Sequence, residues 1–362
     1  MKFLLIGQGL AGTTLGWRLE RAGHDVFFVD APEQTAASSV AAGIINPITG
    51  RRFVKSWRID ELLPAARTLY KDCEAALGGR FYFDSPLVRT LYNRGDLNDW
   101  QARSADPGYA DYMDETPATG QLTELTAPVF AYAGVRHAAR VDVRGLTAAY
   151  RTHLLKNGRL FAEAFDYAQL PELLGADAGA GQGDEKSRVG AAGPYDHVVS
   201  CEGWRARFNP YFNYLPHGGN KGEVLIVRTA APPLELMFKH RVFLVPLTDG
   251  TYWVGATSEN RFDDDQPTVA NGNFLRDRLA EVLTGTDYEV VDHRAAVRPT
   301  VRDRRMFLGT HPDHPRLHIF NGLGTKGASL AALGSRWLAD FLLHGSTLPD
   351  EVDIARFEKA SR

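Results

Sequence analysis

Residues 7–12 read Gly7-Gln8-Gly9-Leu10-Ala11-Gly12, followed by Gly16, between an apolar run at 2–6 (KFLLI) and a helix-like segment reaching about Ala22. This spacing suits a turn laid against a phosphate. Gly7 permits a tight reversal, Gly9 lets the backbone approach a diphosphate, and Gly12 and Gly16 let the helix pack close to the strand. The diphosphate charge would rest on the free N–H groups and positive dipole of the helix N-terminus. After Ala22-Gly23-His24, a second apolar run at 25–29 ends at Asp30, an acid placed to accept hydrogen bonds from an adenosine ribose. Strand, glycine turn, helix, strand and acid in this order point to a dinucleotide site; the bland alternative is a phosphate-free α/β turn. The fingerprint does not separate NAD from FAD.

Other chemistry-bearing residues are less specific. His311, His314 and His318 have the spacing of metal ligands, but Pro312 and Pro315 deny them a helix, and no metal is expected. No nucleophile-elbow pattern occurs, and no Walker-type lysine follows the glycine turn. Arg51, Arg52 and Lys55, in NPITGRRFVKSW, form a basic cluster that either recognises an anion or sits on the surface. Trp204, Phe208, Tyr211, Phe212 and Tyr214 either cover a pocket or simply pack together.

These residues need a framework. The chain has 362 residues, 44% of them hydrophobic, enough for one large core or two moderate ones. With 41 basic and 44 acidic residues the formal charge is −3, so no global field draws it to nucleic acid or anionic lipid. Two cysteines, Cys73 and Cys201, are too few for a disulfide framework. Glycines and the charged Arg18, Glu20 and Arg21 interrupt the N-terminal apolar run where an export signal would stay apolar, and no stretch is long enough to span a membrane. A cytoplasmic protein is expected.

Apolar spacing predicts helices over 59–77, with Cys73 on the buried stripe, and over roughly 144–156, followed by a strand near 159–165. Residues 175–194 are polar and rich in Gly and Ala, which reads as a flexible insertion. His197 to Ser200 reads as a core strand. From Glu223 the pattern is antiparallel, with strands at 224–227, 242–245 and 252–256 and a hairpin turn at Asp249-Gly250. A last strand, 317–320, meets a second glycine-rich loop, Asn321 to Gly327, and a helix to about Leu343.

This alternation, with the segments GQGLAG at 7–12, SSVAAGI at 38–44, VVSCEG at 198–203, KGEVLIV at 221–227, FLVPLTDGTYWVGATSE at 243–259, VRPTVRDRRMFLG at 297–309 and FNGLGTKGASLA at 320–331, resembles the D-amino-acid oxidase superfamily of FAD-dependent amine oxidoreductases. The likeness is to its glycine/sarcosine oxidase-like members, and also to the FAD oxidase domain of the bifunctional enzyme that matures wobble uridine in transfer RNA. The resemblance implies an α/β fold: a Rossmann-like FAD-binding domain (1–82, 138–218 and 293–362) with a discontinuous second, substrate domain built on an antiparallel sheet (83–137 and 219–292). It implies FAD, and because neither cysteine matches an attachment motif, FAD held non-covalently. The implied partners are a small-molecule amine carrying a carboxylate and O₂ or another electron acceptor. A carboxymethylamino group on transfer RNA, or a dehydrogenase using another acceptor, is the alternative.

By the same resemblance Gly7, Gly9, Leu10, Ala11, Gly12, Asp30 and Ala31 hold the ADP part of the cofactor. Ser38, Ser39, Ala42, Gly43 and Ile44 lie along the pyrophosphate and flavin, with Phe165, Cys201 and Gly203 also in contact. Gly322, Leu323, Gly324, Thr325, Lys326, Gly327 and Ala328 line the pyrimidine edge of the flavin. Reduction places negative charge there, which helix N–H groups and Lys326 would stabilise. The alternative for Lys326 is a solvated side chain at a helix start, where its charge opposes the dipole. Arg298, immediately before a proline, would bind the substrate carboxylate through two parallel hydrogen bonds; its alternative role is a structural salt bridge. Phe243 stands where relatives carry a tyrosine, and with Arg52 it marks a departure that argues against plain glycine as substrate.

Overall fold

The computed structural model describes residues 1–31, 35–120, 122–175, 187–230, 234–284 and 286–357 in full and the backbone of 358–360. Among these residues, two large sheets organise the chain. The first has six strands in the order Leu160–Phe161, Asp25–Val29, Lys2–Ile6, His197–Ser200, His314–Asn321 and Phe307–His311. All neighbours run parallel except the last pair. Lys2–Ile6 takes the centre because its run of Phe3, Leu4 and Leu5 is wholly buried, as a parallel strand covered on both faces must be. The helix Leu10–Arg21 connects it to Asp25–Val29, completing a βαβ-type crossover start.

Three longer helices follow the apolar spacing closely. They run Ile59–Leu77, Val143–Lys156 and Gly327–His344. On the first, Leu62, Ala66, Leu69, Tyr70 and Cys73 are buried. The second begins where Asp142 accepts a hydrogen bond from the Gly145 N–H at 3.0 Å. The strand expected near 159–165 is shorter, Leu160–Phe161 only. Beyond it Glu163, Ala164 and Phe165 leave the sheet to line a cavity. Of the expected insertion at 175–194, residues 176–186 lie outside the described residues; Arg188–Ala192 is a short helix capped by Ser187, with Val189 buried.

The second sheet has eight strands in the order Tyr288–Arg298, Asn220–Thr229, Tyr252–Gly255, Phe243–Pro246, Met237–Lys239, Leu87–Leu91, Ala131–Val135 and Met113–Asp114. It is antiparallel but for the pairing of Met237–Lys239 with Leu87–Leu91. The hairpin turn falls at Asp249-Gly250, where Asp249 accepts from the Thr251 N–H at 3.0 Å. Among the described residues, no helix is long and apolar enough to cross a membrane.

One pair of polar groups inside the first sheet has a measurable consequence. His197 Nδ1 and His318 Nε2 stand 2.9 Å apart, and the other ring nitrogen of His318 is 2.9 Å from Thr310 Oγ1. Burial, and then the neighbouring His197, push the His318 imidazole down to about 3 from an ordinary 6.5. Between those values the unfolded chain binds a proton that the folded chain excludes, so stability falls as the pH drops below 6.5. Each pH unit of that window costs up to about 1.4 kcal/mol. The urea midpoint is therefore expected to fall between pH 7 and pH 5, and less steeply in His318→Gln. Equal slopes in the two proteins would contradict the assignment.

Candidate active site

The glycine turn is built by its neighbours. Gly7 donates its N–H to Val29 O at 2.8 Å, tying the turn to the second strand. The helix starting at Leu10 has no side-chain cap at Gly9, so its first N–H groups stay open, apart from Leu10 N, which donates to Ser38 Oγ at 2.9 Å. A methyl group on Gly9 would lie 3.2 Å from that same Ser38 oxygen, narrowing a cradle that now holds bare backbone. Gly12 has a different role: a Cβ there would sit 2.1 Å from Gly7 O, so it brings the helix down onto the turn. Asp30 accepts from Gln8 N at 3.0 Å through one oxygen and pairs with Arg151 at 2.7 Å through the other.

A cavity of about 620 Å³ opens from this turn and passes between the two sheets. Gly7, Gly9, Leu10, Ala11, Asp30 and Ala31 line it, as do Ser38, Ala42, Gly43 and Ile44. So do Phe165, Cys201 and Gly203, and Leu323, Gly324, Thr325, Gly327 and Ala328 from the second glycine loop. From the antiparallel sheet come Arg298 and Phe243. One cavity thus collects residues from eight separate stretches of sequence, with a bare-backbone helix start on one side. That arrangement fits a dinucleotide carrying a flat ring system.

Five expected residues stand elsewhere. Gly12 faces the Gly7 carbonyl, and Gly322 packs on Val301 and the backbone of Phe307. Ser39 is exposed and donates to Ala36 O at 2.7 Å. Arg52 is exposed and lines neither this cavity nor the one beside it; the adjacent Arg51 lines the second cavity. Lys326 also turns into that second cavity, its Nζ donating to Ser56 Oγ at 3.1 Å, so its ammonium does not line the space where a flavin edge was expected. Lys55, the third member of the basic cluster, pairs with Asp60 at 2.9 Å.

Arg298 ends the strand Tyr288–Arg298 and stands opposite Asn220 in the register of that pair. Its guanidinium reaches the Asn220 side-chain carbonyl and, at 3.3 Å, Thr257 O. Among the described residues no carboxylate pairs with it, and burial alone holds its pKa below the ordinary guanidinium value. Gly222 makes the room: a Cβ there would fall 2.0 Å from a guanidinium nitrogen. Among the described residues this is a half-buried cation with neutral partners only, not a structural salt bridge.

Other groups at or behind the cavity wall were not legible in the sequence. Arg151, which holds Asp30, comes from a helix more than a hundred residues away, and no local signal marks it. Trp253 crosses from the second sheet to donate its indole N–H to Val40 O at 2.8 Å, fixing the small-residue segment against the sheet. Glu202 accepts from Ser200, Asn209 and Tyr167. Burial raises its pKa, partly offset by those donors. Of the aromatic cluster, Trp204 and Phe208 line the cavity, while Phe212 is core. Burial pushes the Cys201 thiol far up and Cys73 to about 12, so both are uncharged.

Comparison with known proteins agrees with this geometry. The family described as FAD dependent oxidoreductase matches residues 2–341. The chain is 27% identical, over 97% of its length, to the tRNA 5-methylaminomethyl-2-thiouridine biosynthesis bifunctional protein MnmC of Methylibium petroleiphilum, of which it spans 58%. It is 23% identical to a glycine oxidase of Bacillus licheniformis, covering 98% of this chain and 96% of that one. Its fold superposes on the glycine oxidase of Geobacillus kaustophilus with a TM-score of 0.77 at 20% identity, covering 98% and 97% of the two chains. The iminodiacetate oxidase of Chelativorans sp. BNC1 superposes with a TM-score of 0.76 at 19% identity, covering 97% and 98%.

Proposed function

This chain belongs to the family of FAD-dependent oxidoreductases, and we propose that it oxidises a primary or secondary amine bearing a carboxylate, an amino acid or an N-substituted glycine. The observation that carries this reading is Arg298, a guanidinium in the cavity wall with no anionic partner among the described residues. A carboxylate supplies what the protein withholds: two parallel charge-assisted hydrogen bonds to the planar fork. That grip fixes the α-carbon of the substrate in one orientation. Bound FAD, held non-covalently, supplies the acceptor for hydrogen leaving that carbon and passes the electrons to O₂ or another acceptor.

The remaining chemistry belongs to the chain. Gly7, Gly9 and the open N–H groups at the start of Leu10–Arg21 receive the diphosphate. Asp30, steadied by Gln8 N and Arg151, offers its remaining lone pairs to a ribose. Phe243 and Trp253 keep water from the reacting carbon. No side-chain base is assigned: the oxygens of Glu202 are already engaged by three donors. The amine therefore reacts in its neutral form, having lost its proton to solvent.

A panel of N-substituted glycines and D-amino acids, in air and with an artificial electron acceptor also supplied, tests this. An active D-amino acid releases ammonia and the matching 2-oxo acid in equal amounts, and an active N-substituted glycine releases its amine and glyoxylate. FAD-loaded protein that releases no 2-oxo acid from any of them would overturn the proposal. Gly222→Ala offers a finer check, because its methyl displaces the guanidinium. KM for the active amine should rise about 10- to 100-fold, as expected for losing a hydrogen bond to a charged group, with FAD content unchanged. An unchanged KM would dissociate Arg298 from the substrate.

The match to the tRNA-modifying MnmC supports a second reading, in which the same chemistry acts on a carboxymethylamino group of transfer RNA. It predicts transfer RNA binding that weakens steeply with salt; binding insensitive to salt, or none, removes it.

A further inference from the structure

A second cavity, of about 830 Å³, abuts the first, and Ile44, Phe243 and Thr325 belong to the walls of both. Five basic side chains line it, Arg51, Arg89, Lys239, Arg241 and Lys326, against one carboxylate, Asp96. Some of these charges are accounted for. Arg241 pairs with Glu281 at 3.4 Å, Lys326 donates to Ser56, and Asp96 accepts from the Tyr92 N–H at 2.9 Å.

Arg89 and Lys239 are not. The Arg89 Nε is shut from solvent and meets no acceptor, while one terminal nitrogen reaches only Gly50 O at 3.4 Å. Its guanidinium lies 4.4 Å from the centre of the Phe53 ring. Lys239 donates to Arg241 O at 3.1 Å, with its Nζ 4.7 Å from the centre of the Phe243 ring. Among the described residues no carboxylate pairs with either. Burial lowers the pKa of both, Arg89 to about 10 and Lys239 to about 8, the latter also repelled by Arg89. Two cations half-buried side by side destabilise a fold unless something neutralises them. A purely structural role would have supplied an acid from a neighbouring element, as Glu281, at the end of the helix Val269–Ala280, is supplied to Arg241.

We propose that Arg89 and Lys239 receive a second anionic group of the amine substrate, a carboxylate or a phosphate remote from the carboxylate held by Arg298. This rests on the carboxylated-amine reading above and narrows it to dianionic amines. Arg89 offers the fork that matches a planar or tetrahedral oxyanion, and Lys239 a compact charge beside it. Phe243 forms the shared wall that such a molecule would pass. The two cations stand in a cavity between aromatic rings rather than along an open ridge, which favours a small molecule over a polymer backbone.

The test uses oxidised, FAD-loaded protein and ligands without an amine, which bind but cannot be oxidised. Propionate, succinate, adipate, 3-phosphonopropionate and 5-phosphonopentanoate are titrated while the visible flavin spectrum is followed. At least one dianion should bind about tenfold or more tighter than propionate. That ratio should collapse toward one in Arg89→Met and in Lys239→Met, both checked for unchanged FAD content; if Arg89→Met does not fold, Lys239→Met decides. Preference for a dicarboxylate identifies a second carboxylate, and preference for a phosphonate identifies a phosphate. Equal affinity for mono- and dianions in the parent protein would overturn the proposal, as would a ratio untouched by the foldable variants. Transfer RNA binding that depends on Arg89 and Lys239, with no dianion preference, would also overturn it. Failure of every carboxylate, propionate included, to perturb the spectrum would instead count against the role of Arg298.

Discussion

Replacing Arg298 with alanine is expected to slow flavin reduction by a carboxylated amine at least about 100-fold, with the FAD content of the purified protein unchanged. A bidentate charge-assisted pair in a partly dry site contributes about 3 kcal/mol or more when both bonds are lost, hence the factor. The cofactor should stay, because the residues expected to meet the diphosphate and ribose lie in other segments, 7–12 and 30–44. The protein should also stay folded: among the described residues Arg298 makes two neutral hydrogen bonds and no ion pair, so its removal releases a desolvated charge rather than orphaning an acid. Stopped-flow reduction under nitrogen measures the rate directly. Equal rates in the two proteins would sink the assignment.

The second large effect is expected at Gly12. Gly12→Val would drive a branched side chain into the Gly7 carbonyl, which a Cβ alone already approaches to 2.1 Å. The contacting atom is backbone, held by the Gly7 N–H bond to Val29, so the turn cannot yield without leaving the sheet. Overpacking of this kind costs about 1–3 kcal/mol or more. Here it displaces the groups that face the diphosphate. Purified Gly12→Val should carry little flavin, and added FAD should not restore it. A yellow, fully loaded variant would mean that the helix does not need to lie against the turn.

The contrast between these two residues shows what a sequence can display. Gly12 acts within a span of six residues, where spacing alone carries the geometry. Arg298 was recognisable from the motif around it, but its lack of an acid was not. That depends on the register placing it opposite Asn220, a partner 78 positions away. Lys326 and Arg52 mark the limit of local reasoning. A lysine at a helix start was expected to face the nearest anion, yet the turn aims it at Ser56. In the basic cluster both arginines are exposed, and one position decides which of them lines a cavity: it is Arg51. Arg89 left one trace, a charge inside the apolar strand Leu87–Leu91, whose meaning appeared only when Lys239 was folded beside it.

The central claim is that a carboxylate-bearing amine delivers its hydrogen in the cavity that Arg298 lines. The most direct measurement is the anaerobic visible spectrum of the purified, FAD-loaded protein with matched pairs of amines, each N-substituted glycine beside its carboxamide. At least one acid should bleach the flavin absorbance while its amide, lacking the charge that Arg298 would bind, leaves it oxidised or reduces it far more slowly. Acid and amide reducing the flavin at the same rate would contradict the claim, and so would flavin that stays oxidised with every acid.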